Sequence, residues 1–316
     1  MDPSHNLTNG SISGSCTTED LVDICMYPSA YSIFFIIGFP ANCLSFYVAL
    51  VLARKGNNLA VYLVNLSFSD LLYTITLPVW IQLALGYPVS DTLCSLITVI
   101  MNNSFYVGTS FLCCISVDRY LAVVFPLHYP GAHTVQVASA VSALVWCMEL
   151  GLHAVLLHHQ GALRSFSALR LCEEKMPLRP VDSCVALVRV TLSFLLPLLL
   201  MTFCFLKIFL AVQGSTFTQE SDRRKIQFLL LLLLLTYTIA FAPFQTVMFL
   251  RGIWETDMCS FALRMRDAYM VTFATTTINS VVDPILYCLW SEAAKVEMIL
   301  LVQGSWRRFR RILALQ

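Results

Sequence analysis

The chain has 316 residues, of which 58% are hydrophobic and only 12% are charged, and its formal net charge is +1. A typical soluble domain is about 45–50% apolar and about 25% charged, so this composition leaves too little polar surface to cover a water-soluble globule. The composition therefore excludes an ordinary soluble protein and indicates an integral membrane protein. Because the net charge is almost zero, it gives no indication of a nucleic-acid partner.

Seven apolar stretches are each long enough to cross a membrane as a helix, which needs about 20 mainly apolar residues. They cover residues 27–53, 60–85, 93–123, 135–158, 186–212, 225–251 and 266–290. Several contain a proline, which a helix bundle tolerates because neighbouring helices and side chains can bond the freed carbonyl groups. We therefore predict an all-α fold, a seven-transmembrane helix bundle.

The two ends of such a chain lie on opposite sides of the membrane, and the distribution of Lys and Arg modestly favours an outer N-terminus. Segment 1–26 supports this orientation, because it is polar and contains glycosylation sequons at Asn6 and Asn9. Segment 291–316 is rich in arginine and leucine, which favours a short amphipathic helix on the anionic inner leaflet over a loose basic tail. We predict an extracellular tail, a transmembrane domain over residues 27–290 and a cytoplasmic tail, in the plasma membrane.

Each span carries a characteristic residue or motif, in the order found in one large receptor family. The third span contains Cys94 and ends in Asp118-Arg119-Tyr120, and the seventh contains Asp-Pro-Ile-Leu-Tyr at 283–287. The other spans contribute Asn42, Asp70, Trp146, Pro197 and Phe241-Ala242-Pro243. Over essentially its whole length the chain resembles the rhodopsin-like G-protein-coupled receptors. Segments 38–44, 59–63, 71–74 and 77–80 are similar to the proton-sensing and lysolipid subgroup, particularly the G2-accumulation receptor.

The resemblance implies a role in G-protein coupling for Asp118, Arg119 and Tyr120. A charge at the inner membrane edge is costly unless it is paired. Asp118 is therefore expected to hold Arg119 in the resting receptor, and activation is expected to release Arg119 towards a heterotrimeric G protein. The alternative is an arginine that merely ends the third span.

Three carboxylic acids lie within otherwise apolar spans: Asp70, Glu149 and Asp283. An ionisable residue inside the membrane is a functional hypothesis by default, and desolvation lets carboxyl groups exchange protons closer to neutral pH. The resemblance implies a polar cluster around Asp70 and Asp283 that also includes Asn42 and Asn279 and can bind sodium at Asp70. Glu149 resembles the acid-sensing receptors at its position. The alternative for Glu149 is a permanently protonated side chain that is hydrogen-bonded between helices.

Three histidines lie in or just beyond the outer half of the fourth span: His153, His158 and His159. Histidine is the usual switch near neutral pH, so all three are candidate pH sensors. Two solvated histidines and one packed histidine are an equally good interpretation. The acid-sensing relatives carry their histidines elsewhere, near the positions of Gln82 and Met270.

Two arginines near the outer ends of spans are candidates to bind an anionic lipid head: Arg189 and Arg251. A guanidinium can pair with a carboxylate or phosphate whose hydrocarbon tail lies between helices. For Arg251 the alternative is a side chain that extends to the interface. For Arg189 it is a salt bridge to Asp182 or Glu173.

The resemblance implies a disulfide bond between Cys94 and Cys172, which links the third span to the second outer loop. A second, weaker expectation is a bond between Cys25 and Cys259. Cys16 and Cys184 remain competing partners in these pairings.

We therefore expect a receptor that is activated by extracellular protons, by an anionic lipid such as an oxidised fatty acid or lysophospholipid, or by both. Phe205 stands where this family usually has a polar residue, so a non-signalling scaffold is an alternative, and a proton-pathway transporter is a less favoured one. No nucleophile–base pair, metal-ligand cluster or phosphate-binding loop is visible, so we expect neither an enzyme nor a cofactor.

Overall fold

The computed structural model describes residues 26–127, 129, 134–159, 177–213, 220–256, 258–290, 294–297, 299–300 and 303. Within these residues the chain is helical and contains no strand. The long helices are α1 (Tyr27–Arg54), α2 (Asn58–Thr74), α3 (Leu77–Ala84), α4 (Asp91–Val124), α5 (Val135–His159), α6 (Pro180–Val190), α7 (Leu196–Gln213), α8 (Glu220–Trp254) and α9 (Cys259–Trp290). A π-helical turn, Thr191–Leu195, joins α6 to α7.

These helices form seven spans, of which the second consists of α2 and α3 and the fifth consists of α6, the π turn and α7. Six spans are long and apolar enough to cross a membrane by length and composition alone. The seventh, α9, has 32 residues but is more polar, with a run of threonines at 275–277. The predicted seven-helix bundle is confirmed. The fifth span begins at Pro180 rather than 186, and the seventh begins at Cys259 rather than 266.

The bundle has apolar side chains outside and many polar side chains inside. Ile36, Leu199 and Ile239 are 68%, 67% and 64% exposed, whereas Asn42 and Asp283 are 0% and 1% exposed. Exposed apolar area on this scale marks an interaction surface, and for helices of this length and hydropathy that surface is the lipid hydrocarbon.

An aromatic cluster fills the bundle around Phe241, which occupies the position where the family commonly has tryptophan. The Phe241 ring lies 4.8 Å from the rings of Phe105 and Tyr237, measured between centroids, and crosses both at steep angles. Edge-to-face pairs of this kind stabilise a core beyond the area they bury. Phe205 packs against the same hydrophobic core from the fifth span.

The prolines leave backbone carbonyls without a helical partner, and side chains from the bundle bond them. Pro284 cannot donate to the carbonyl of Ser280, and Asn42 Nδ2 of the first span donates to that oxygen at 2.7 Å. Pro197 likewise cannot donate to the carbonyl of Ser193, and the Tyr237 hydroxyl of the sixth span donates to that oxygen at 2.9 Å. These bonds show why proline is tolerated here, as expected for a membrane bundle.

The inner end of the first span contacts the chain beyond the seventh. Residues 294–297 and 299–300 are helical, and Ala294 is buried against the inner ends of the first and second spans. Glu297 forms an ion pair with Lys55. These contacts agree with the predicted short membrane-surface helix after the seventh span.

Candidate functional site

The inner end of the third span carries a buried ionic network. Asp118 is 1% exposed, and its carboxylate accepts hydrogen bonds from Nε and Nη2 of Arg119, the former at 3.1 Å. Tyr129, in the second inner loop, donates to the same carboxylate at 3.2 Å and accepts from Arg119 Nη2 at 3.1 Å. Asn58 Nδ2 donates to the Tyr129 hydroxyl at 2.9 Å. We call these four residues the inner ionic network.

Tyr129 was not among the residues singled out by the sequence. Burial raises the pKa of its hydroxyl, so the hydroxyl stays protonated and can donate to Asp118. No sequence signal marks a tyrosine eleven residues beyond Asp118, because its position depends on the path of the loop. Tyr120, in contrast, points towards neighbouring rings, with the Phe203 and Phe125 centroids 5.7 and 5.8 Å away.

The predicted polar core is present at the centre of the bundle. Asn42 Nδ2 donates to the carbonyls of Gly38 and Ser280, and Asn279 Nδ2 donates to Asp283 Oδ2 at 2.7 Å. The hydroxyl of Ser280 also lies close enough to the Asp70 carboxyl group to interact with it. The first, second and seventh spans therefore meet through these side chains.

Asp70 and Asp283 are brought together in this core. They are 4% and 1% exposed, and the charge of Asp70 acts on Asp283. Each keeps one oxygen, Oδ2 of Asp70 and Oδ1 of Asp283, without a hydrogen-bond partner. Two buried carboxylates whose charges interact repel one another, which favours a proton or a cation on the pair.

The same core has the donor set of a sodium site. Besides the two carboxyl oxygens, Oδ1 of Asn42 and Oδ1 of Asn279 are buried and unpartnered. Carboxylate and amide oxygens are the ligands that hard cations prefer. Sodium binding at Asp70 therefore fits the residues and stays a prediction.

Glu149 lies apart from that carboxyl pair. Its Oε1 accepts a hydrogen bond from Ser110 Oγ of the third span at 2.6 Å. Among the described residues, Glu149 is not one of the groups that act on Asp70 or Asp283. The hydrogen bond between helices, which was part of the alternative interpretation of Glu149, is therefore present.

His153 and Arg189 lie on the same side of the bundle as Glu149. His153 is 6% exposed, and neither ring nitrogen has a hydrogen-bond partner. Arg189 acts electrostatically on His153, and its guanidinium carbon lies 5.6 Å from the ring centroid of Tyr106. Of the two acids that were alternative partners of Arg189, Asp182 pairs instead with Arg179, whose Nε lies 2.8 Å from its Oδ2, and Glu173 lies outside the described residues.

Arg251 is engaged within the protein. It is 2% exposed and forms a two-bond ion pair with Glu255, which is 0% exposed. Its guanidinium carbon also lies 4.4 Å from the Tyr269 ring centroid, and Glu255 Oε1 accepts from the backbone N–H of Leu178 at 3.1 Å. The Arg251 side chain is therefore buried rather than extended to the interface, and it already has a carboxylate partner. For this reason we favour Arg189 over Arg251 as a site for an anion.

The cysteines agree with the predicted disulfide bonds as far as they are described. Cys94 and Cys259 each form a disulfide bond. Cys184 is a free cysteine, which removes it as a competing partner. The predicted partners Cys172 and Cys25 lie outside the described residues, as do the sequons at Asn6 and Asn9 and the side chain of His159. His158 is exposed at the outer end of the fourth span.

Comparison with known proteins gives the family. The model for the seven-transmembrane receptors of the rhodopsin family matches residues 41–287. G-protein coupled receptor 68 of Homo sapiens is 34% identical over 290 residues, which cover 91% of this chain and 79% of that receptor. G-protein coupled receptor 65 of Homo sapiens is 33% identical, with 88% and 86% covered. Lysophosphatidic acid receptor 6 of Gallus gallus is 26% identical, with 89% and 95% covered.

These relatives bear out the family and the subgroup that the sequence resembles. The match extends from the first span to the tyrosine of the 283–287 motif, so it includes both the polar core and the inner ionic network. The chain therefore belongs to the rhodopsin family of seven-transmembrane receptors and is a G-protein-coupled receptor rather than an enzyme.

Proposed function

We propose that extracellular acid activates this receptor by placing a proton on the buried carboxyl pair of Asp70 and Asp283. The observation that carries the proposal is the pair itself, with two buried acids in one interhelical cluster and one unpartnered oxygen on each. In the resting bundle the pair is held by the first, second and seventh spans through Asn42, Asn279 and Ser280.

A proton is an agonist only if it binds the active state more tightly than the resting state. Protonation removes the repulsion between the two carboxyl groups and changes an acceptor oxygen into a donor. The second and seventh spans can then approach each other more closely. We propose that this movement is transmitted along the seventh span to its inner end, next to the inner ionic network.

Coupling to the heterotrimeric G protein is proposed to occur through Asp118, Arg119 and Tyr120. Arg119 is confined by Asp118 and Tyr129. Release of Arg119 would present its guanidinium to the G protein at the cytoplasmic side. This assignment places the N-terminus outside the cell, as the glycosylation sequons and the arginine-rich C-terminal segment favour, and the receptor in the plasma membrane.

The test is G-protein activation in cells that express the chain, as the outside pH is lowered from about 8 to about 6, where protein groups poised near neutrality titrate. The proposal expects activation to rise with acid. A flat response from receptor that is demonstrably at the cell surface would contradict it, and would favour the non-signalling scaffold that Phe205 keeps as an alternative.

Glu149 gives a separate prediction in the same assay. Glu149→Gln keeps the hydrogen bond with Ser110 but cannot titrate, so we expect the pH response to become shallower, with activation at the acid end reduced about two- to threefold. That change corresponds to roughly half a kcal/mol, since a tenfold change corresponds to about 1.4 kcal/mol.

The matched control for this prediction is Ser110→Ala, which removes the hydrogen bond and keeps the carboxyl group. If Glu149 acts by titration, the Ser110→Ala curve keeps its steepness while the Glu149→Gln curve loses it. An unchanged pH curve in Glu149→Gln would exclude a role for this carboxyl group in acid sensing.

A second candidate trigger is an anionic lipid bound at Arg189. The observation that favours it is a guanidinium that contacts the Tyr106 ring and pairs with no carboxylate among the described residues. A relative with 26% identity is named a lysophosphatidic acid receptor, and this name supports an anionic lipid as the second candidate trigger. Protons and such a lipid are not mutually exclusive triggers.

A further inference from the structure

The third, fourth and fifth spans share a small group of polar side chains in the outer half of the bundle. Ser110 and Glu149 form the hydrogen bond between the third and fourth spans. The charges of Arg189 and Glu149 both act on Tyr106, and Arg189 also acts on His153. We call Tyr106, Glu149, His153 and Arg189 the lateral cluster.

Two members of the lateral cluster have unused hydrogen-bonding capacity. His153 is buried with both ring nitrogens unpartnered, and Nε of Arg189 is buried and unpartnered. A buried polar group without a partner is destabilising, so such groups mark either strain or a ligand site. Here the two unpartnered groups belong to the fourth and fifth spans, and one of them, Arg189, carries a full positive charge.

The lateral cluster lies beside an opening to the hydrocarbon. Among the described residues, the fourth and fifth spans make little direct contact, while both pack against the third. Ser110, Glu149 and Arg189 are accordingly only half-buried. The outer faces of the two spans on either side are apolar and exposed, through Leu152, Val155, Val188, Leu192, Leu195 and Leu196.

We propose, as a deepening of the lipid response proposed above, that the lateral cluster binds a single-chain amphiphile with an anionic head, and that binding is linked to uptake of a proton by His153. The amphiphile enters between the fourth and fifth spans. Its head contacts Arg189 and His153, and its chain lies on the exposed leucines and valines. A guanidinium and an imidazole suit a phosphate or carboxylate head, and charge complementarity excludes a cationic one.

The linkage follows from the position of Arg189. A proton on His153 adds a second positive charge within range of the Arg189 guanidinium, and like charges repel each other. An anion bound to Arg189 cancels that repulsion and adds an acceptor for the imidazolium, so the proton is bound more readily. By reciprocity, acid strengthens anion binding by the same factor.

The other charged and titratable groups around His153 do not replace this effect. The third span presents Tyr106 and, further in, Cys113, and the fourth span presents Glu149 one turn below. The second span contacts the fourth through a neutral hydrogen bond, in which Trp146 Nε1 donates to Asn65 Oδ1 at 3.0 Å. Glu149 accepts a hydrogen bond from Ser110, and the charged group that acts on His153 is Arg189.

The experiment measures binding without a G protein. Purified receptor in phosphatidylcholine nanodiscs is titrated with oleoyl lysophosphatidylglycerol, whose phosphodiester keeps one negative charge throughout, and with neutral mono-oleoylglycerol as the matched probe. The apparent Kd of each probe is taken from the rise in the receptor's Tm with probe concentration. Each titration is carried out at about pH 8 and at about pH 6, and the probe-free receptor at the same pH is the reference.

We expect the anionic probe to bind about fivefold more tightly at the lower pH, the lower end of typical coupling between sites. His153→Gln should keep the affinity seen at the higher pH and lose the pH dependence, while His158→Gln, at an exposed histidine of the same helix, should retain it. Arg189→Gln should weaken binding of the anionic probe about tenfold at both pH values, as expected for the loss of a charged hydrogen-bond partner. Arg189→Lys keeps the charge and should recover part of that loss.

Equal affinities for the anionic and neutral probes, or unchanged binding in Arg189→Gln, would overturn the anion site. An apparent Kd that does not depend on pH in the wild type, or a pH dependence that survives His153→Gln, would overturn the linkage. Because no signalling is measured, a receptor that binds in this linked manner but gives no acid response in cells would contradict only the proposed proton trigger.

Discussion

The double variant Asp70→Asn, Asp283→Asn should lose acid-evoked G-protein activation altogether between about pH 8 and about pH 6. Asparagine preserves the shape and most hydrogen bonds of aspartate but binds no proton in this range. The two side chains lie in one buried cluster with one unpartnered oxygen each. If a proton on this pair drives activation, a pair that cannot titrate has no acid-dependent step.

The single variants make the prediction sharper. In either one, the remaining carboxyl group no longer has a charged neighbour, so more acid is needed to protonate it. We expect the midpoint of the response to move towards acid by about one pH unit, that is, to about tenfold more protons. A one-unit shift in both singles and a flat response in the double together define a coupled pair, which titrates as a unit rather than as two independent residues.

The matched control for these variants is Asp267→Asn. Asp267 lies at the outer end of the same seventh span, but its side chain is 55% exposed and its contact with Arg266 is long, at 3.8 Å. Its response should coincide with that of the wild type. An acid response of wild-type size and midpoint in the double variant, at equal surface expression, would show that the carboxyl pair does not sense protons.

The sequence predicted the bundle well because hydropathy determines which stretches can cross a membrane. It did not predict the break between α2 and α3 beside Pro78, nor the π turn before Pro197. Both depend on how the backbone groups near a proline are bonded locally, as where the Tyr237 hydroxyl donates to the Ser193 carbonyl, to which Pro197 cannot donate, at 2.9 Å. Such bonds are decided by packing rather than by composition.

The site was predicted in part, for a related reason. Motif order identified Asp118 with Arg119 and the carboxyl groups of the polar core, and the structure brings each of these pairs together. Spacing along one chain does not fix the rotation of a helix against its neighbours. The hydrogen-bond partner of Glu149 therefore could not be chosen from the sequence alone.

Surface pairing was the least predictable part. Asp182 and Arg179, three residues apart on one helical turn, form a local pair, although Arg189 was also in sequence range. Arg251 and Glu255 are separated by four residues and pair for the same local reason. Short-range helical spacing could have indicated both pairs, since residues three and four apart share one face of a helix.

The second large effect concerns the resting state of the receptor. Asp118→Asn should raise G-protein activation without any trigger, at about pH 8, by about tenfold. Asp118 is buried, and its carboxylate accepts hydrogen bonds from both Arg119 and Tyr129. Removal of its charge leaves Arg119 without a counter-ion in the inner ionic network, and a coupling of 1–3 kcal/mol between such a contact and the active state corresponds to roughly 5–150-fold.

Tyr129→Phe distinguishes the contribution of the Asp118 charge from that of the Tyr129 hydroxyl in the inner ionic network. It removes one hydroxyl but leaves the ion pair, so resting activity should rise only about two- to fivefold, as expected for a neutral hydrogen bond worth about 0.5–1 kcal/mol. The measurement is a nucleotide-exchange assay on membranes with matched receptor levels. We expect resting activity to be highest in Asp118→Asn, intermediate in Tyr129→Phe and lowest in the wild type. If Tyr129→Phe equals or exceeds Asp118→Asn, the loop hydroxyl rather than the carboxylate confines Arg119. If neither variant differs from the wild type, the resting state is maintained elsewhere in the bundle, and the polar core becomes the first place to look, because it also connects the second span to the seventh.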